Sequence, residues 1–523
     1  MKRSLPVALV VALLAAGGTR AGDKAPLELW LYYATNLLVD KNVDELEAIW
    51  RRAAAAGYSH VLLTDSKLAK LGDMDPRYFK NLERVKAIAG ELELELTPAL
   101  FGIGYSNDLL WHDANLAEGL PVRNALFVVK GGEARLVPDP PVAMREKFDW
   151  KDDAVTLAEG TATVRDPPGN ARLVQKIAVA RFRCYHVSVE VKTDGFTGEP
   201  ELKVLEAAKG KPLVFTSLGV QKTQGWKTHH LVFNSLENEA VNVYFGVWGG
   251  AKGTLAWRKW KLEEVGLLNV LRRPGAPCVV QGKVEGKDYE RIEDPHLGNT
   301  PWKGSYEVWH EPPVIRTRLA DGTQLRVSWY HPIITHEEQV MICPSEPGTA
   351  EVLRDEAKRV REAFGARGYM MSFDEIRVLG WDESCARRKK APGALLAESA
   401  RECTKLLAGS QAYVWSDMFD PFHNAHDDYY LVRGDLEGSW EGLAPAVTVV
   451  NWNFEKRQSS LAFFAERGHK QVIAGYYDGD VGHAKEWLDA ADTVKGVTGI
   501  MYTTWRHQFG DLEAFARVCR ERR

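Results

Sequence analysis

Between Leu27 and Leu100 apolar strands alternate with amphipathic helices; the alternation then stops for more than a hundred residues and resumes to the C-terminus. Strands separated by helices of this length pair in parallel through right-handed crossovers. That rhythm constrains the fold more than any composition figure. The first block reads as strand Leu27–Tyr33, a helix over 42–55, strand His60–Asp65, a helix over 76–90 and strand Leu94–Leu100. The second block opens with strand Leu325–Tyr330 and a helix over 348–364. Strands Gly368–Phe373, Ala412–Trp415, Ala446–Asn451, Gln471–Gly475 and Gly499–Tyr502 follow, with helices over 391–407, 459–467, 482–493 and 510–521. Counting back from the last strand makes Tyr369–Phe373 the fourth and leaves Leu325–Tyr330 as an extra strand or an extension of the third. The predicted fold is α/β: a (β/α)8 TIM barrel interrupted after its third strand.

The interruption has its own pattern. Short alternating runs such as Tyr185–Val191, Leu213–Thr216, His230–Phe233 and Val241–Val247 are separated by Gly and Pro turns. About 140 residues of this kind suit a two-sheet, jelly-roll-like β-sandwich. The expected organisation is a signal peptide over 1–22, barrel over 23–123, inserted sandwich over 124–265 and the remaining barrel, with the catalytic centre, over 266–523. A linker-like Arg272-Arg-Pro-Gly-Ala-Pro277 follows the sandwich.

Met-Lys-Arg, an apolar run from Leu5 to Ala16 and small residues near Ala21 have the form of a cleavable secretory signal. That run is too short to span a bilayer, so a secreted or periplasmic protein without a membrane span is expected. Sixty-seven Lys and Arg against seventy-one Asp and Glu leave a net charge of -4. So even a balance removes the electrostatic case for a nucleic-acid partner. The six cysteines, at 184, 278, 343, 385, 403 and 519, show no CxxC pair and no zinc-like spacing. They read as mostly buried free thiols, with room for one bridge and the pairing left open. Neither a cofactor nor a metal is expected, and the oligomeric state is left open.

In a barrel of this kind the active site gathers at the C-terminal strand ends. Those ends carry Asp374-Glu375 after strand four, Trp415-Ser416-Asp417 after five, Asn451-Trp452 after six, Tyr476-Tyr477-Asp478 after seven and Trp505 after eight. Tyr330-His331 closes the extra strand. Aromatic faces suit the C–H surfaces of a sugar and carboxylates accept from its hydroxyls, so a glycan substrate is expected. Glycoside cleavage uses paired carboxyl groups, and crowding two acids raises one of their pKa values toward that of a proton donor at neutral pH.

With Trp415, Trp452, Tyr476-Tyr477-Asp478 and Trp505, the Asp374-Glu375 pair resembles the family 20 glycoside hydrolases, the β-N-acetylhexosaminidases, over residues 365 to 510. The related family 123 N-acetylgalactosaminidases share the Asp-Glu pair. The resemblance implies a retaining, substrate-assisted hydrolase of 2-acetamido sugars. Glu375 would be the acid/base, Asp374 would hold the acetamido N–H, and Tyr476 would bind the acetamido carbonyl oxygen that attacks the anomeric carbon. Trp415, Trp452 and Trp505 would wall the sugar and Asp478 would hold a hydroxyl. This sequence departs from the family in three places. Tyr369-Met-Met-Ser-Phe373 replaces its His-x-Gly-Gly, Leu31–Asn36 lacks its strand-one Arg, and Arg506-His507 stands where it carries a second acid.

Other readings stay open. Glu375 paired with Asp417 or Asp478 would make a glycosidase with two protein carboxylates, acting on a non-acetamido glycan. A barrel that binds carbohydrate without catalysis is the alternative outside enzymes. Asp420-Pro-Phe-His423-Asn-Ala-His426-Asp427-Asp428 carries metal-ligand residue types, but Pro421 marks it as a substrate-contact loop. Residues 253–264 resemble the closing strands of galactose-binding-like carbohydrate-binding modules, with Trp257 and Trp260 as either binding or core residues.

Overall fold

The computed structural model describes residues 27–521, and the expected signal segment lies outside them. Eight parallel strands close a barrel: β1 (Glu28–Ala34), β2 (His60–Thr64), β3 (Glu95–Leu100), β4 (Gly368–Met371), β5 (Gln411–Trp415), β6 (Thr448–Asn451), β7 (Gln471–Tyr477) and β8 (Val497–Thr503). Strand alternation sets the two faces. Trp30, Leu62, Met370, Val450, Val472 and Met501 fill the interior, whereas Leu29, Leu31, Val61, Leu63 and Ile473 meet the helices.

The α-helices longer than one turn are α1 (Asp40–Ala55), α2 (Pro76–Glu91), α3 (Pro347–Phe364), α4 (Pro392–Leu406), α5 (Arg457–Glu466), α6 (His483–Ala491) and α7 (Leu512–Arg520). On α1 the buried Val43, Leu46, Trp50 and Ala53 form one stripe at helical spacing. Asp75 accepts from the Arg77 amide and Pro76 takes the first turn, which starts α2. The β5–β6 connection carries 3-10 turns at Asp417–Phe419 and Ser439–Gly442 in place of a longer helix.

Between β3 and α3 the chain builds three antiparallel sheets. Two five-stranded sheets, drawn from Trp150 to Val265, face each other as a sandwich. Its core includes Val187, Val189, Phe233, Val243, Phe245 and Trp257. Trp260 packs against the core through Phe148, at 5.2 Å between ring centroids. Trp257 is therefore a core residue, and the half-buried Trp260 packs on the core's edge.

The third sheet contains Leu120–Lys130, Glu133–Leu136 and Gln324–His331. Residues 124–136, read from the sequence as the start of the sandwich, belong to this sheet. The extra strand Leu325–Tyr330 pairs with 121–128 and does not join the barrel. Alternating apolarity marks a strand but does not name its partner, so this placement was out of reach of the sequence.

Candidate active site

A cavity of about 710 Å³ opens at the C-terminal ends of the barrel strands. Asp374, Glu375, Trp415, Trp452, Tyr477, Asp478 and Trp505, all expected from the sequence, line it. Adjacent strand residues point to opposite faces, yet both members of the acid pair reach this space. β4 has ended at Met371, and Glu375 takes a left-handed φ of 51°, which turns the chain inward. The turn is fastened beneath by Asp417, whose Oδ2 accepts the Glu375 amide at 2.8 Å.

The loop after β3 presses on this turn. A Cβ on Gly104 would stand 1.8 Å from the Asp374 carbonyl oxygen, so only glycine permits the approach. Next to it, the Tyr105 hydroxyl donates to Glu375 Oε2. Arg377 Nη2 lies 2.8 Å from Glu375 Oε1, and its guanidinium also sits over the Tyr430 ring at 5.1 Å. Glu375 is therefore both a cavity residue and the partner of a guanidinium. Asp374 receives no hydrogen bond from another described residue. Burial, with the charges of Asp417 and Glu375 beside it, pushes its carboxyl up to about 8.

The remaining cavity carboxyls are engaged by the protein. Asp478 accepts from the Trp505 amide at 2.6 Å, the Arg506 amide at 3.2 Å and the Thr504 hydroxyl, which fixes the loop after β8. Asp65 accepts two backbone amides, Asp108 pairs with Lys70 at 2.8 Å, and Glu356 accepts the Phe101 amide at 3.1 Å.

Aromatic rings make the walls. Tyr477 and Trp452 lie nearly parallel, 7° apart with centroids at 5.9 Å. Trp505 meets Tyr477 edge-on at 5.9 Å and Tyr32 at 4.7 Å. His423 packs on Trp452 at 4.4 Å, and Asp420 accepts from Ser460 at 2.6 Å and from the Phe422 amide at 2.9 Å. The 420–428 loop thus supports a wall.

Several expected site residues lie elsewhere. Tyr476 is 3% exposed, stacks on Tyr502 at 4.1 Å and donates to Asp511 at 3.0 Å in the helix layer. A register shift between Ala474 and Tyr476 reverses the strand's parity, so Tyr477, 47% exposed, faces the cavity in its place. Asp417 is fully buried behind the pair, accepting also from Asn424 at 2.9 Å and Trp452 Nε1 at 3.3 Å. Asn451 is buried and bonded to Gln471 and Asn453. Tyr330 lies half-buried against Gly119, and His331 is buried between Asn234 and the Pro332 carbonyl, because their strand belongs to the third sheet.

Sequence reading missed Tyr32, Asp65, Tyr105, Asp108 and Glu356, which also line the cavity. Tyr32 and Tyr105 were accessible to the strand-end rule, since one lies near the end of β1 and the other just beyond β3. His336, from the insertion, and Arg506, from the loop after β8, line it too.

No protein-family model and no curated protein matches the chain. Among solved structures, the family 20 catalytic modules of the pneumococcal exo-β-D-N-acetylglucosaminidase align at 8% identity and a TM-score of 0.37, covering 94% of this chain and 83% of that one. A rhamnosidase from Novosphingobium sp. PP1Y aligns at 11% identity and 0.33, covering 94% and 58%. A family 4 carbohydrate-binding module aligns at 19% identity and 0.19, covering 22% and 77%. At these values the likenesses carry no weight for activity or substrate.

Proposed function

We propose that this chain is a retaining glycoside hydrolase of 2-acetamido sugars that works by substrate assistance. The supporting observation is that Asp374 and Glu375 face one aromatic-walled cavity whose other lining carboxyls are engaged by the protein. A mechanism with two protein carboxylates needs a second reactive group about 5–9.5 Å across the sugar from the acid. Asp417 is sealed and Asp478 holds the Trp505 loop, so neither reading that pairs them with Glu375 is favoured. The substrate's own acetamido oxygen then serves as nucleophile. It bonds to the anomeric carbon as the glycosidic C–O bond breaks, and the departing oxygen takes a proton from one carboxyl. The other carboxyl holds the acetamido N–H, with Tyr477 placed to donate to the carbonyl oxygen. Water opens the oxazolinium and returns the proton.

In this scheme Glu375 is the acid/base and Asp374 the orienting group. The Arg377–Glu375 ion pair favours a second assignment with the roles exchanged, in which Asp374 carries the proton. Aryl glycosides whose leaving group needs no protonation separate the two. The variant that has lost the acid, Glu375→Gln or Asp374→Asn, keeps its formation of the intermediate on a dinitrophenyl glycoside and loses about 10²- to 10⁴-fold on an unactivated one.

The reaction itself is tested with chromogenic β-glycosides of GlcNAc, GalNAc, glucose and galactose. Cleavage confined to the acetamido sugars, retention at the anomeric centre and inhibition by a thiazoline mimic are expected. Equal cleavage of plain glucosides would overturn substrate assistance. Binding without turnover in wild type would leave a carbohydrate-binding barrel.

A further inference from the structure

We propose that Glu118, Cys343, Asp382 and Cys385 bind a structural zinc ion that ties the insertion to the barrel. The inference is independent of the cavity reading. One candidate ligand atom from each of these four buried residues lies within 4.8 Å of the others. They come from three segments: the loop entering the third sheet, the stretch before α3, and the turn Asp382–Ala386 after β4.

Two of the spacings match those of a tetrahedron. Two thiolates about 2.3 Å from one tetrahedral zinc stand about 3.8 Å apart, and a thiolate and a carboxylate oxygen about 3.5 Å apart. Here Cys343 Sγ and Cys385 Sγ are 3.7 Å apart, and Cys385 Sγ lies 3.5 Å from Glu118 Oε2. All four residues are at most 2% exposed, as a closed structural site requires.

Glu118 argues for a cation on its own. Its Oε1 accepts the Trp381 amide at 2.8 Å, but Oε2 faces the sulfurs, and no Lys, Arg or His forms an ion pair with it among the described residues. The Arg273 guanidinium whose charge reaches Glu118 is bonded to Asp382 and Glu346 instead, and a buried carboxylate without a directly bonded cation is costly. A Cys343–Cys385 disulfide would bring the sulfurs to about 2.05 Å and leave Oε2 without that partner. The outer shell is in place as well. Arg273 lies 2.5 Å from Asp382 Oδ2, the Cys385 amide donates to Asp382 Oδ1 at 3.0 Å, and Ser345 Oγ lies 3.2 Å from Cys385 Sγ. No CxxC signalled the cluster, because its members are gathered from distant parts of the chain.

The test uses the full chain purified without reductant or chelator. Elemental analysis after dialysis should find about one zinc per chain. Cobalt substitution should give a thiolate-to-metal charge-transfer band. Chelation should lower Tm by about 5 °C or more, with recovery on adding zinc but not magnesium. Glu118→Gln and Cys343→Ser should each abolish stoichiometric zinc. Where a variant fails to fold, the wild-type metal content and cobalt spectrum decide. Wild type without zinc, whether its thiols are free or joined as a Cys343–Cys385 disulfide, would overturn the proposal. So would zinc that persists in a folded Cys343→Ser/Cys385→Ser variant.

Discussion

Asp374 is held in a protonation state that the unfolded chain does not share. Burial and two neighbouring acids raise it to about 8, so between the ordinary aspartate range and pH 8 the folded protein binds the extra proton. Its contribution to stability is then full at low pH and is lost as pH rises through about 8. Asp374→Asn removes this slope, and melting curves between about pH 5 and pH 9 should flatten by ~1–3 °C relative to wild type. Two neighbouring tyrosines give a sharper residue-level contrast. Tyr477→Phe should lower kcat by about 10²-fold if its hydroxyl supports the attacking oxygen. Tyr476→Phe should leave kcat unchanged and cost about 1 kcal/mol of stability through the lost bond to Asp511, read by denaturant unfolding. The family resemblance pointed to Tyr476 at the end of β7, and the register shift that brings Tyr477 to the cavity in its place leaves no composition signal.

Loops between elements shape the site more than the strands do. Asp478 accepts two amides and a hydroxyl from the loop after β8, so its task is to hold Trp505 in position. Asp478→Ala should raise KM about 10-fold while kcat falls less, since a lost charge-assisted bond is worth about 1.5–3 kcal/mol. Gly104 carries a different load. Gly104→Ala has no room against the Asp374 carbonyl and should push the Tyr105 loop away, lowering kcat/KM by about 10²-fold in a chain whose circular dichroism is unchanged. The strand-end rule made the Asp374-Glu375 pair and the three tryptophans legible. It said nothing of Asp417 acting behind the pair, because a buried support and a cavity wall look alike in a list of strand ends.

At the scale of the whole molecule, the insertion reaches the catalytic turn through a chain of contacts. Phe215 of the sandwich lies 5.1 Å from His336 and 6.2 Å from Tyr430, Tyr430 underlies Arg377, and Arg377 pairs with Glu375. Phe215→Ala should therefore reduce kcat/KM by about 3- to 10-fold in steady-state kinetics without loss of folded protein, although Phe215 touches none of the acid pair. The barrel, its interruption after β3, the cavity's acid pair and most of its aromatic lining were determined by the sequence alone, because strand and helix periods are local properties of the chain. Tertiary structure decided which strands the 120–136 segment joins, which of two tyrosines faces the cavity, that Arg377 engages Glu375, and that four distant residues converge on one point. Each of these depends on contacts between segments far apart in the chain, and such contacts leave no local period to read.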